Sequence, residues 1–194
     1  MIADKISAIL QSRTPRLLGA DHLRPAAVLV PVQERPDGDH LVLTQRAEML
    51  SSHRGQVAFP GGRLDDQDSG LLAAALRESH EEVGIRPRDV RVLGQLDQIT
   101  AAANYLVTPF VGVIPFPYEF HLNPAETTAV FSVPVSALLD PACFSMESRS
   151  YSSTKHGPIY HFHYEGWDIW GATARIITQL LELAYGFEVQ RDRD

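Results

Sequence analysis

The sequence feature that most constrains the fold is a glycine turn followed, after a polar loop, by a helix that ends in a cluster of glutamates. The turn is Gly61-Gly62, and the helical segment ends in Arg77-Glu78-Ser79-His80-Glu81-Glu82-Val83-Gly84-Ile85. Residues three and four apart are neighbours on a helix, so Glu78, Glu81 and Glu82 are predicted to share one face. The segment therefore places three carboxylates together behind a flexible turn.

A second stripe of the same helix is predicted to face the core. Its members are Leu72, Leu76, Ser79 and Val83, and Gly84 is predicted to end the helix. The glutamates are poorly placed for stability, because like charges at these spacings cost about 0.2–0.5 kcal/mol each. They also oppose the helix macrodipole at its C-terminal end. A hard divalent cation such as Mg²⁺ or Mn²⁺ removes both costs, since it prefers clustered oxygen ligands, whereas the alternative is a solvated acidic face.

The whole string resembles the box of the Nudix hydrolase family, which runs Gly, five residues, Glu, seven residues, then Arg-Glu-apolar-any-Glu-Glu-any-Gly-apolar. Residues 77–85 match its second half, with Ser79 where an apolar residue is usual. In the first half, five residues separate Gly62 from Asp68, which stands where the family has Glu, and eight residues separate Asp68 from Arg77.

Two neighbouring segments are similar to the extra signature of the coenzyme A pyrophosphatase branch of that family. They are Leu43-Thr44-Gln45-Arg46 and Gly55-Gln56-Val57-Ala58-Phe59-Pro60-Gly61-Gly62. The branch also carries the shifted spacing with Asp near position 68, which makes the departure in the box a feature of the branch. Ser51 stands where the signature has an arginine. The helix start Trp170-Gly171-Ala172-Thr173-Ala174 resembles the same branch.

The resemblance implies an α/β fold, a Nudix-type α/β/α sandwich around a mixed β-sheet with N- and C-terminal helices. Residues 1–194 would form one domain, with the box at about 62–85. The implied reaction is hydrolysis of the pyrophosphate bond of coenzyme A or its thioesters, giving 3′,5′-ADP and 4′-phosphopantetheine. Two alternatives stay open, a Nudix pyrophosphatase for ADP-ribose or NADH and a nucleotide sensor without turnover. The intact box carboxylates favour an enzyme.

The resemblance also implies roles for individual residues. Metal ligands for Mg²⁺ or Mn²⁺ would be Glu78, Glu81, Glu82 and the carbonyl of Gly62. Arg77 would hold the glutamates in place by a charge-assisted pair. The general base would be a box glutamate or Glu126, which follows an Asn-Pro-Ala sequence before a Val-Phe strand. A 3′-phosphate on the substrate needs basic contacts, for which the candidates are Arg46, His53, Arg54 and Arg63.

Composition narrows the class of partner. The net charge of −7 argues against a general nucleic-acid binder, which should show a basic footprint. No apolar run approaches the ~20 residues of a membrane-spanning helix. Cys143 is the only cysteine, so internal disulfides and cysteine-based metal sites are excluded. A cytoplasmic location is expected. The expected partner is a small nucleotide substrate, and a homodimer is a reasonable expectation.

Periodicity and turn signals predict the remaining elements. They are an amphipathic docking helix at 1–10, a hairpin of strands 26–32 and 40–46, strands at 90–97, 105–116 and 128–134, a short helix at 135–139, a polar loop to 157, a strand at 158–164 and a last helix to Tyr185. Pro109 predicts an edge or a bulge. His161 and His163 share one strand face, but an ordinary strand is preferred because the sequence shows no third nitrogen or sulfur ligand nearby.

Overall fold

A computed structural model describes residues 2–20, 22–47, 55–152 and 155–189. Within these residues the chain forms a large mixed sheet, a small antiparallel sheet and α-helices. The large sheet contains β1 (Arg24–Arg35), β2 (Gly38–Arg46), β3 (Val57–Ala58), β4 (Gly61–Arg63), β5 (Arg91–Gln95), β6 (Ile99–Ala101), β7 (Tyr105–Val113) and β8 (Thr127–Pro134). The small sheet contains β9 (Phe144–Ser152), β10 (Lys155–Tyr164) and β11 (Trp167–Trp170). The helices are α1 (Ile2–Gln11), α2 (Leu71–Val83), α3 (Val135–Leu138) and α4 (Gly171–Ala184).

The central strands of the large sheet run in the order β3-β2-β1-β7-β5. Strand β8 also pairs with β2, β4 with β1 and β6 with β7, and only the β1–β7 ladder is parallel among these pairs. The predicted hairpin is confirmed, because Arg35 faces Gly38 across the turn that joins β1 to β2.

Each face of the large sheet is covered by a separate layer. Along β2 the side chains alternate, so Leu41 and Leu43 face one layer and Val42 faces the other. Helix α2 covers the Val42 face through Val83, whereas α1, α4 and the small sheet cover the opposite face. The α/β/α sandwich is thus confirmed, with a three-stranded sheet added to one of its outer layers.

The terminal helices dock as their patterns predict. Ala3, Ile6 and Leu10 of α1 are buried. The predicted apolar stripe of α4 is buried throughout: Ile176, Ile177, Leu180, Leu181 and Ala184. Of the helices that the structure describes, none has the length and apolar character needed to cross a membrane.

One prediction of local structure is wrong, and one is correct in only one of its two alternatives. The segment 144–152 is strand β9 rather than part of a polar loop, because it pairs along β10 with serines and charged residues alternating between its few apolar side chains. Strand β7 lies between β1 and β5, so the edge alternative for Pro109 is wrong. The bulge alternative fits better, because residues 96–98 of the neighbouring segment face only residues 108 and 109 of β7. Pro109 is tolerated there because it falls opposite the junction between β5 and β6, where its carbonyl accepts a hydrogen bond from the Leu96 amide.

Candidate active site

Helix α2 turns a different face to the core than its leucines indicate. Ser79 is fully buried and Glu82 is only 3% exposed, whereas Leu72 and Leu76 are partly buried. The predicted core stripe is therefore correct at Ser79 and Val83, but Glu82 also belongs to the buried face. Small side chains at Ala75 and Ser79 let the helix approach the sheet closely, and the Ser79 hydroxyl donates to the Ala75 carbonyl at 2.6 Å.

Three carboxylates converge beside this buried face. One oxygen from each of Glu78, Glu82 and Glu126 lies within 4.8 Å of the other two. Glu78 and Glu82 come from successive turns of α2, and Glu126 comes from the loop before β8. Glu81 is outside this group of three; its side chain is half exposed and pairs with Arg77 at 2.9 Å.

Glu82 is the most enclosed member of the cluster. Its two oxygens accept hydrogen bonds from the Gly61 amide at 3.2 Å and from the Arg46 guanidinium at 3.3 Å. Burial raises the pKa of Glu82 to about 7, although Arg46 and the Gly61 amide oppose that shift. The carboxylate is therefore held in a protein environment that disfavours its charge in the absence of a cation.

The glycine turn lies directly against Glu78. A Cβ added to Gly62 would lie 2.4 Å from the Glu78 carboxyl carbon, so only glycine fits at this position without moving that carboxylate. Gly61 has a φ of 152°, and a Cβ there would lie 2.3 Å from the Ala27 carbonyl oxygen. Burial also raises the pKa of Glu78, while neighbouring Arg77 lowers it.

Arg77 connects the glycine loop to the helix. Its guanidinium donates two hydrogen bonds of 3.0 Å to the two oxygens of Asp68 and a third, at 3.2 Å, to the Arg63 carbonyl. It also contacts Glu78 at 3.1 Å. The hydrogen bonds from Arg77 hold the pKa of Asp68 below its usual range. Asp68 thus acts as the anchor of Arg77, a role that the shifted spacing in the sequence did not assign.

Main-chain hydrogen bonds fix the position of Glu126. The Asn123 amide N–H donates to the Glu82 carbonyl at 2.9 Å, and the Asn123 side-chain amide donates to Glu126 at 3.2 Å. The Glu126 carbonyl in turn accepts from the Ala47 amide at 2.8 Å. Sequence reasoning named Glu126 but missed the function of Asn123, for which the Asn-Pro-Ala-Glu sequence was the available signal.

The predicted substrate contacts do not all reach one place. Arg46 forms an ion pair with Glu82, so its guanidinium is already engaged and is not directed at a substrate phosphate. Arg63 is exposed beside the cluster, and its own carbonyl is bound by Arg77. His53 and Arg54 lie outside the described residues, as does Ser51.

The donor set suits a hard divalent cation such as Mg²⁺ or Mn²⁺. Glu78, Glu82 and Glu126 offer oxygen atoms alone, and burial raises the pKa values of the two helix carboxylates. A cation at this point would offset the repulsion among the carboxylates and the cost of burying them. Gly62 is close enough to Glu78 for its main chain to approach the same cation.

Comparison with known proteins gives the class to which this fold and site belong. The NUDIX domain matches residues 23–152. An uncharacterized Nudix hydrolase NudL of Photorhabdus laumondii is 43% identical over 173 residues, which cover 89% of this chain and 91% of the relative. A protein of the same name from Cronobacter sakazakii is 43% identical over 157 residues, 81% of each chain.

Solved structures agree on the fold. The Nudix hydrolase RenU from M. smegmatis matches with a TM-score of 0.57 at 17% identity, covering 87% of this chain and 89% of that one. A MutT/nudix family protein from Enterococcus faecalis matches with a TM-score of 0.52 at 15% identity, covering 94% of this chain and 68% of that one. The chain belongs to the Nudix hydrolase family. Members of this family generally use divalent metal ions and act on small nucleotide-derived substrates.

Proposed function

We propose that this Nudix hydrolase cleaves the pyrophosphate bond of coenzyme A or its thioesters with Mg²⁺ or Mn²⁺, giving 3′,5′-ADP and 4′-phosphopantetheine. The observation that carries the chemistry is the convergence of Glu78, Glu82 and Glu126 against the glycine turn. A site of this kind, built from oxygen donors, fits a reaction in which anionic phosphate oxygens must be neutralised.

The bound cation would neutralise the phosphate oxygens and lower the pKa of an attacking water. The chain's own residues prepare that arrangement. Glu78 and Glu82 would hold the cation, with Glu81 and the Gly62 carbonyl as further ligands that the family resemblance adds. Arg77 fixes Glu78 through their ion pair while being fixed itself by Asp68. Glu126, or a box glutamate, would accept the proton of the water.

The substrate class rests on the segments that resemble the coenzyme A branch. Both segments contact the carboxylate cluster: Arg46 contacts Glu82, and the amide of Gly61 does so as well. The two segments are also joined to each other, since the Arg46 amide donates to the Gln56 carbonyl at 3.0 Å. The residues that set the branch apart are thus part of the wall of the site, where they can influence which nucleotide is accepted.

Product analysis tests the proposal. The protein is incubated with coenzyme A, ADP-ribose and NADH in turn, each with Mg²⁺, with Mn²⁺ and with a chelator. We expect 3′,5′-ADP from coenzyme A only when metal is present. Glu82→Gln should abolish the product, whereas Glu119→Gln, a change at an exposed glutamate outside the cluster, should leave the rate unchanged.

A second comparison tests recognition of the 3′-phosphate. Dephospho-coenzyme A lacks that group and should be a poorer substrate. Arg63→Ala should reduce the preference for coenzyme A over dephospho-coenzyme A, while Arg88→Ala, at a side chain 77% exposed, should not. Equal turnover of the two substrates by the unaltered protein would show that no basic side chain recognises the 3′-phosphate.

The alternatives predict different products. Turnover of ADP-ribose or NADH without turnover of coenzyme A would keep the metal chemistry and replace the substrate. No turnover of any compound, together with nucleotide binding, would favour a sensor. We further propose that residues 1–194 act as one domain in the cytoplasm. We also propose that the protein is a homodimer, which light scattering of the purified protein would test.

A further inference from the structure

A second group of metal-ligating side chains lies on the small sheet, among residues that the box chemistry does not use. His161, His163 and Asp168 each offer one ligand atom, and these three atoms lie within 4.8 Å of one another. Nδ1 of His161 is 2.9 Å from Oδ1 of Asp168, and Nδ1 of His163 is 3.5 Å from the same oxygen. Two ring nitrogens thus converge on one carboxylate.

Strand pairing produces this convergence. His161 and His163 are two positions apart on β10 and so point to the same face of the sheet. Asp168 on β11 lies directly opposite His163 in the antiparallel register, and Trp170 lies opposite His161. The third ligand that the sequence did not show is therefore an oxygen supplied by the neighbouring strand.

Ser145 orients the ring of His163. Its hydroxyl lies 3.0 Å from Nε2 of His163, on the far side of the ring from Asp168. When Nε2–H donates to this hydroxyl, the lone pair of His163 is on Nδ1 and faces Asp168. Metal-ligating histidines commonly have their second nitrogen held in this way.

The ring of His161 is held by stacking. It stacks on His163 with ring centres 5.8 Å apart and on Trp170 with ring centres 6.3 Å apart. Its side chain is 13% exposed, and its buried Nε2 has no hydrogen-bond partner within the described part of the chain. The polar contact of this ring is therefore through Nδ1, the atom that faces Asp168.

We propose that His161, His163 and Asp168 form a second metal site, for a borderline divalent transition ion of the Zn²⁺ class. Two imidazole nitrogens and one carboxylate oxygen suit Zn²⁺, Co²⁺ or Cu²⁺ and do not suit Mg²⁺. Zn–N and Zn–O bonds of about 2.0–2.2 Å place tetrahedral ligand atoms about 3.3 Å apart. The two separations from Oδ1 of Asp168, 2.9 and 3.5 Å, lie on either side of that value. Solvent can supply the fourth ligand because His163 and Asp168 are about half exposed.

A metal at this point would link β10 to β11. Strand β11 packs against β3, and the Thr173 hydroxyl, just after β11, donates to the Val57 carbonyl in β3 at 3.0 Å. Strand β3 leads directly into the Gly61 turn. The proposed ion would therefore stabilise the wall of the Nudix site without contacting its carboxylates.

Zn²⁺ affinity measured in excess Mg²⁺ tests the proposal, because Mg²⁺ occupies a site made of oxygen ligands alone. A chelating dye reports the free Zn²⁺ concentration. We expect one Zn²⁺ per chain, an affinity unchanged in Glu82→Gln, and a loss of at least about tenfold in His163→Gln and in Asp168→Asn. Ser145→Ala should weaken binding by about tenfold. The matched controls are His121→Gln and Ser136→Ala, at exposed residues outside the cluster.

Pulsed electron paramagnetic resonance with Cu²⁺ as the probe identifies the ligands. Imidazole nitrogens couple to the electron spin, whereas the carboxylates of the Nudix box do not provide nitrogen. Coupling to two imidazoles, reduced to one in His163→Gln and unaltered in His121→Gln, is the expected result. Absence of nitrogen coupling, or the same Zn²⁺ affinity in Asp168→Asn as in the unaltered protein, would overturn the proposal. These readouts do not depend on turnover, so they stand apart from the proposed reaction.

Discussion

The two carboxylate-bearing clusters differ in both ligand chemistry and surroundings. Glu78, Glu82 and Glu126 present oxygen atoms alone, and Glu82 is almost fully buried. In the cluster on the small sheet, two ring nitrogens join a single carboxylate whose side chain is 49% exposed. The first cluster places three carboxylates close together, one of them in the protein interior. In the second cluster, the single carboxylate of Asp168 lies beside the rings of two histidines at the surface.

This difference predicts that the two clusters respond differently to the loss of a metal. Burial of like charges is unfavourable unless a hard cation compensates it, so the glutamate cluster is expected to depend on its metal. In the histidine cluster, each ring makes a polar contact, His161 with Asp168 and His163 with Ser145, so this cluster is expected to depend less on a metal.

Removing the charge of one buried ligand should have the largest effect. Glu82→Gln is expected to reduce kcat with coenzyme A by about three orders of magnitude or more, because the cation loses a ligand that no other residue replaces. Glu81→Gln should cost much less, since Glu81 is half exposed and pairs with Arg77. Circular dichroism should show both variants folded. Equal losses in the two variants would mean that Glu81 turns inward when metal binds.

Filling the space beside Glu78 should have an intermediate effect. Gly62→Ala would put a methyl group where the Glu78 carboxylate lies, so we expect kcat to fall about 10–100-fold. Combining this change with Glu78→Gln should add little to the loss caused by Glu78→Gln alone, because both act on the same carboxylate. Additive losses in steady-state kinetics would indicate that Gly62 acts through another group. Zn²⁺ binding to the histidine cluster should be unaffected.

The smallest expected effect is on thermal stability. Since the folded protein raises the pKa of Glu82 from about 4.5 to about 7, it binds this proton more tightly than the unfolded chain does. The stability of the metal-free protein should therefore fall as pH rises from about 4.5 to 7, in addition to other titrations. Calorimetry should show a smaller fall in Glu82→Gln than in the unaltered protein. Excess Mg²⁺ should restore the thermal stability lost at higher pH, and it should do so to the same extent in His163→Gln as in the unaltered protein.

Local signals allowed much of the fold to be predicted. The α2 helix, its end at Gly84 and the hairpin of β1 and β2 depend on spacing and turn residues within short segments. Strand β9 was missed because its sequence is rich in serine and has few apolar residues. Its existence depends on pairing with β10, which is a tertiary property.

The sequence predicted which residues lie near one another more accurately than it predicted the direction in which their side chains point. It named Glu78, Glu82 and Glu126, which the fold brings together, but treated Glu81 as their equivalent. The rotation of α2 about its axis decides between Glu81 and Glu82, and small residues on the packed face set that rotation. Similarly, the pairing of His163 with Asp168 depends on strand register, which the histidine spacing alone does not give.

The hydrogen bond from the Asn123 amide to the Glu82 carbonyl makes the loop before β8 a main-chain extension of α2. A second such bond joins the His121 amide to the Val83 carbonyl. These two main-chain hydrogen bonds fix the distance of Glu126 from the end of the helix. Homologous loops could exchange side chains at 122 and 125 freely. An insertion between 121 and 126 would lengthen the loop and move Glu126 away from the carboxylates of α2. Loop length here should therefore vary far less than loop sequence.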